Sequence, residues 1–193
     1  MNAIRGATPS RTPNNETKLS GSCIKLNISK TIQLFHIIPF EEHYTEAICT
    51  LILNIQQNEF QVPITLADQP DLLTISSFYQ QNGGNFWLAV MDKEVVGTIA
   101  LIDCGEGIGC IRKMFVRADC RGKGRGLAQQ LLDTLEAWAL HHGITELYLG
   151  TVERLHAAIR FYIRNGFAPI EPGELPASFP RMSVDTLFFG KWL

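Results

Sequence analysis

The chain has 193 residues, 46% of them hydrophobic and 19% charged, which suits one folded domain with its own core and leaves room for a tail. A formal net charge of −2 excludes the long-range pull toward nucleic acid or an anionic membrane that a basic protein exerts, so neither is expected as a partner. No apolar run is long enough to span a bilayer, and an odd set of five cysteines without zinc-site spacing reads as free thiols in a reducing cytoplasm, with no metal.

Residues 1–30 are polar and show no apolar period. Such a segment buries too little surface to offset its ordering entropy and reads as a flexible N-terminal tail, with the domain over 31–193. A first strand is expected from Ile32 through Ile37, ended by Pro39. Ile48, Leu51, Ile52 and Ile55 make a helical stripe within Glu41–Ile55. Pro63 breaks the chain, and Asp68 to Asp71 opens a second helix carrying Leu72, Leu73, Ile75 and Phe78. Asn82-Gly83-Gly84-Asn85 ends it. Three strands follow, Phe86–Val90, Val95–Ile102 and Cys110–Val116, whose short connections predict an antiparallel meander. A helix starting near Leu127 carries Leu131, Leu135 and Trp138. Then come a strand at Glu146–Leu149, a helix at Arg154–Arg164, and closing strands at Phe167–Ile170 and Thr186–Phe189. The predicted class is α/β (α+β), a mixed and mostly antiparallel sheet flanked by helices.

The segment Arg121-Gly122-Lys123-Gly124-Arg125-Gly126 falls between a strand and a helix. The opening turn of a helix presents unpartnered N–H groups and partial positive charge, and glycines let a phosphate come close. A dinucleotide fingerprint would place glycine or alanine where Leu127 stands. A P-loop would end in Gly-Lys-Ser or Gly-Lys-Thr, absent from this region. Arg121-x-x-Gly124-x-Gly126 instead resembles the Arg/Gln-x-x-Gly-x-Gly/Ala signature of the GNAT superfamily of N-acetyltransferases. Ala158-Ile159-Arg160-Phe161-Tyr162-Ile163-Arg164-Asn165-Gly166-Phe167 resembles its Ala-x-x-Phe-Tyr-x-x-x-Gly-Phe segment. The likeness covers roughly residues 32–193 and implies a GNAT-type sheet and acetyl-CoA as co-substrate. It implies that the pyrophosphate lies on residues 121–126 and the start of the helix at Leu127. The pantetheine arm would run between the strand ending in Met114, Phe115 and Val116 and the strand Glu146–Leu149, with an N–H near Phe115 polarising the thioester.

The same resemblance makes Tyr162 the group that protonates the departing thiolate, since a phenol holds its proton at neutral pH. Relatives often have asparagine where this chain has Leu155; the adjacent His156 is a further candidate contact to the coenzyme. Many relatives carry an acid near the position of Cys110, so the base is unassigned, with Glu153, His156 and Asp103 as candidates. Residues 56–72 and 172–182 are expected to wall the acceptor site, with Arg181 and Glu174 offering charge. The implied activity is direct acetyl transfer to an amine of a small molecule or peptide, by a monomer or homodimer. The alternative is a non-catalytic acetyl-CoA sensor that acts through a protein partner.

Overall fold

The computed structural model describes residues 35–122, 124 and 126–193; the expected tail lies outside them. Seven strands and four helices follow in chain order: β1 His36–Pro39, α1 Thr45–Leu53, α2 Ile75–Tyr79, β2 Asn85–Met91, β3 Glu94–Asp103, β4 Ile108–Val116, α3 Leu127–His141, β5 Glu146–Thr151, α4 His156–Arg164, β6 Ala168–Ile170 and β7 Leu187–Trp192. The sheet order is β1-β2-β3-β4-β5-β7-β6. Every pair is antiparallel except β4 with β5. The mixed, mostly antiparallel class is as expected from the sequence.

Strand periodicity divides the core. In β2, Trp87 and Ala89 join the cluster formed with α3 and α4, while Phe86 and Leu88 join that formed with α1 and α2. Side chains alternate across a strand, so one apolar run serves two faces. Leu127, Leu131 and Leu135 of α3 are fully buried on the first face.

Several boundaries differ from the sequence reading; the expected second helix, for one, splits into a 3-10 turn at Pro70–Leu73 and the short α2. Pro39 closes β1 from inside it, paired with Trp87; β1 is an edge strand, where a residue without an N–H is tolerated. The first helix is not continuous. A tight 3-10 turn at Glu42–Tyr44 precedes α1, and a wider π turn at Asn54–Glu59 follows, closed by Phe60 N–H donating to the Ile55 carbonyl (3.1 Å). The last helix starts at His156 rather than Arg154.

Gly97 of β3 sets how closely α3 approaches the sheet. A Cβ there would lie 2.7 Å from a Leu127 methyl and 3.2 Å from one of Leu131. Gly97→Val is therefore expected to destabilise the fold by about 1–3 kcal/mol through overpacking, read from the urea midpoint.

Candidate active site

Strands β4 and β5 hydrogen-bond only from Ile108 opposite Glu146 to Ile111 opposite Leu149. Beyond that register both continue without each other, β4 to Val116 and β5 to Thr151. A cleft opens between them. Arg112 to Phe115 line one side and Gly150 to Val152 the other, while Leu155, Ala158 and Tyr162 of the α4 region form the floor. The remaining wall comes from the α1–α2 connection, including Gln56, Phe60 and Gln69, and from Met182, Val184 and Asp185 before β7. The two segments expected to wall an acceptor site thus both reach the cleft, the later one only through its last residue, Met182, with Val184 and Asp185 just beyond it.

At the cleft edge β4 carries a bulge. Thr98 faces Phe115 and Ala100 faces Arg112, so β4 takes three steps where β3 takes two. Lys113 adopts φ +50° there, and its carbonyl accepts a hydrogen bond from the buried Thr98 hydroxyl (2.7 Å). Bulges re-aim side chains. Here the Lys113 ammonium meets Gln69 Oε1 (2.7 Å) and Asp71 Oδ2 (3.1 Å). Asp71 also accepts from the Tyr79 hydroxyl (2.5 Å), and Gln69 and Gln56 exchange side-chain hydrogen bonds. Desolvation pulls Lys113 below the usual ammonium range, and Asp71 opposes that pull. This network, which ties the bulge to the opposite wall, has no local signal in the sequence.

The glycine loop leads into α3 through Gly126, which sits in the left-handed region (φ +65°) as the residue before the helix. Gly122 also has positive φ (+102°). A Cβ on Gly122 or Gly124 would meet nothing within 4 Å, so no packing among the described residues requires glycine at either position. Lys123 and Arg125 lie outside the described residues. Arg121 does not stand free as a phosphate cation. Its guanidinium pairs with both oxygens of Glu59, its Nε donates to the Val116 carbonyl (2.6 Å), and it lies over the Phe60 ring. It fastens the loop to the π turn, and its charge is largely matched by Glu59.

Tyr162 lines the cleft, 7% exposed, and its hydroxyl makes no hydrogen bond to another described residue. Burial, with Asp185 adding to it, holds its phenol above the usual range. Of the three bases considered, none lines the cleft. Asp103 accepts from the Gly83 and Gly105 backbone at the far end of β3. Glu153 and the exposed His156 border an adjoining cavity, shared with Arg154, at the cleft mouth. Glu174 caps its own turn by accepting from the Glu171 N–H, and Arg181 lies over the Phe188 ring. Cys110 is fully buried, and burial pushes its thiol up, unlike an activated nucleophile.

The family model for the acetyltransferase (GNAT) family matches residues 50–167, a span that includes the cleft, the glycine loop and α4. The chain belongs to the GNAT family. A GNAT-family acetyltransferase from Staphylococcus aureus Mu50 is 38% identical with a TM-score of 0.79, over 82% of this chain and 99% of that one. N-acetylaspartate synthetase of Rattus norvegicus is 31% identical over 98 residues, which are 50% of this chain and 32% of that protein. This GNAT chain therefore spans about a third of that relative's length. N-acetylglutamate synthase from Neisseria gonorrhoeae, solved with coenzyme A and N-acetylglutamate, shares the fold at a TM-score of 0.65 and 16% identity, over 83% of this chain and 35% of that one. No helix among the described residues is long and apolar enough to cross a membrane.

Proposed function

We propose that this chain is an acetyl-CoA-dependent N-acetyltransferase that moves the acetyl group directly to an amine. The observation that carries the reading is the parting of β4 from β5 beside the N-terminus of a fifteen-residue helix, with a tyrosine set into the gap. The glycines of the segment Arg121–Gly126 and the first N–H groups of α3 at Leu127 suit a diphosphate. Beyond Ile111 the β5-facing edge of β4 has no strand partner among the described residues, so Met114, Phe115 and Val116 offer backbone groups to an extended amide-containing arm and to a thioester carbonyl. Tyr162 faces the same gap and supplies the leaving thiolate with its proton. His156, at the mouth, is a contact for the coenzyme's outer portion.

The acceptor is an amine of a small molecule or peptide. Arg112 lines the cleft and forms no ion pair with a described residue, which favours an acceptor that also bears a carboxylate, in line with the N-acetylaspartate named for one relative.

The test is coenzyme A release from acetyl-CoA across amino acids, peptides and polyamines. Amine-dependent release is expected, with the best rates on carboxylate-bearing amines. Acetyl-CoA at about a hundred times its Kd is expected to stabilise the fold by about 2.7 kcal/mol, a melting shift of roughly 5–10 °C. A melting shift without release from any amine would favour the sensor; neither shift nor release would reject both readings.

A further inference from the structure

We propose that Asp185 receives the acceptor's ammonium group and takes its proton, so that the free amine attacks the thioester beside Tyr162. The proposal rests on the acetyl-transfer reading above and assigns the base that the sequence leaves open.

The placement of Asp185 is built rather than incidental. Its N–H donates to the Met182 carbonyl (3.2 Å), and the next residue, Thr186, donates to the Thr151 carbonyl (2.9 Å). The turn before β7 is thereby pinned to the end of β5, with the carboxylate lying against Gly150. A Cβ on Gly150 would sit 2.6 Å from the Asp185 carboxyl carbon. Gly150 does not have the positive φ that marks six other glycines, so its backbone imposes no demand for glycine. The neighbouring carboxylate does.

Charge matching in the cleft points the same way. Lys113 has Asp71, and Arg121 has Glu59. Asp185 forms no ion pair with a described residue, although it lines the cleft and is only half-buried. The groups that act on it are Arg112, Lys113 and Cys110 from β4 and Tyr162 from α4. Arg112 donates to the Pro180 carbonyl (3.1 Å) and forms no ion pair with Asp185, although its charge, like that of Lys113, opposes the effect of burial. A carboxylate kept partly dry without a counter-ion is stabilised when a cation arrives. An alkylammonium supplies that cation and brings the nitrogen to the side of the cleft that Tyr162 faces. Burial pushes the Asp185 carboxyl above the usual carboxylate range, which brings its basicity nearer to working pH.

The proton count closes. The ammonium gives one proton to Asp185, which later passes it to solvent. The amine lone pair forms the C–N bond, and the C–S bond breaks with its electrons on sulfur. The thiolate takes the Tyr162 hydroxyl proton, and the second nitrogen proton returns to Tyr162 through water.

Asp185→Asn keeps the side chain's shape and removes the base. For this variant kcat/KM for the amine is expected to fall about 100-fold, with acetyl-CoA affinity within about twofold of wild type. Wild-type activity should drop on acidification as Asp185 protonates, and the variant should lack that acid limb. Gly150→Ala, which displaces the carboxylate while keeping it, should lose activity similarly. An Asn variant that keeps both turnover and the acid limb overturns the assignment alone. A wild type silent toward every amine overturns the acetyl-transfer reading along with it.

Discussion

Replacing Asp71 with leucine is expected to destabilise the fold by about 3–5 kcal/mol, because it leaves the buried Lys113 ammonium without its counter-charge. The two side chains are 9% and 3% exposed and 3.1 Å apart. After the substitution Gln69 alone faces the ammonium, and the Tyr79 hydroxyl loses its acceptor as well. Roughly 2–4 °C of melting temperature per kcal/mol puts the loss near 10 °C. The double variant Asp71→Leu with Lys113→Met should recover most of it, since a matched apolar pair often equals a buried ion pair. The pH dependence has a fixed sign. Burial lowers Lys113 in the folded state, and losing Asp71 lowers it further. Between that value and the free-lysine value the unfolded chain binds more protons, so stability rises with pH. Urea unfolding at pH 7 and pH 9 should show a steeper rise for Asp71→Leu than for wild type, and the Lys113 contribution should vanish in the double variant. Equal stability of Asp71→Leu and wild type at pH 7 would show that the pair contributes nothing.

The element order and the two faces of the sheet were legible because periodicity is a local property. Phe86 to Val90 shows its β-branched and aromatic character within five residues, and α3 carries its stripe from Leu127 to Trp138. The gap between β4 and β5 came with the family likeness, but the register moves it: Glu146–Leu149, expected to flank it, pairs with Ile108–Ile111, and the cleft opens beyond, at Gly150 to Val152. What escaped depends on distant partners. Cys110 to Val116 reads as an unbroken strand, yet Lys113 turns out of it toward Gln69 and Asp71, more than forty residues earlier. Arg121 read as a phosphate cation because Glu59, its partner, lies 62 residues away in sequence. Asp185 left one trace. Gly150 follows the apolar run Leu147–Leu149, and glycine inside a strand often marks the close approach of another group.

Tyr162→Phe is expected to lower turnover about 100- to 1000-fold while leaving acetyl-CoA affinity and stability nearly unchanged. The ring is held by Phe167 (5.8 Å between centroids), Phe161 (5.8 Å) and Phe189 (6.3 Å), and phenylalanine keeps all three contacts. The hydroxyl donates to no described residue, so removing it breaks no internal hydrogen bond and should cost the fold well under about 1 kcal/mol. Its raised pKa keeps the phenol protonated throughout the working range, and Tyr162 should therefore add no basic limb near pH 10. A phenol so weakly acidic gives up its proton only to a strong base. The departing thiolate becomes one in the same dry cleft, because burial raises a thiol's pKa above its value near 8.5 in water. The loss in Tyr162→Phe should accordingly shrink with an acetyl donor whose thiol is more acidic and leaves without protonation. Single-turnover rates with the two donors measure this directly. A Phe variant that turns over like wild type with acetyl-CoA would remove Tyr162 from the chemistry and leave its ring as part of the cleft floor.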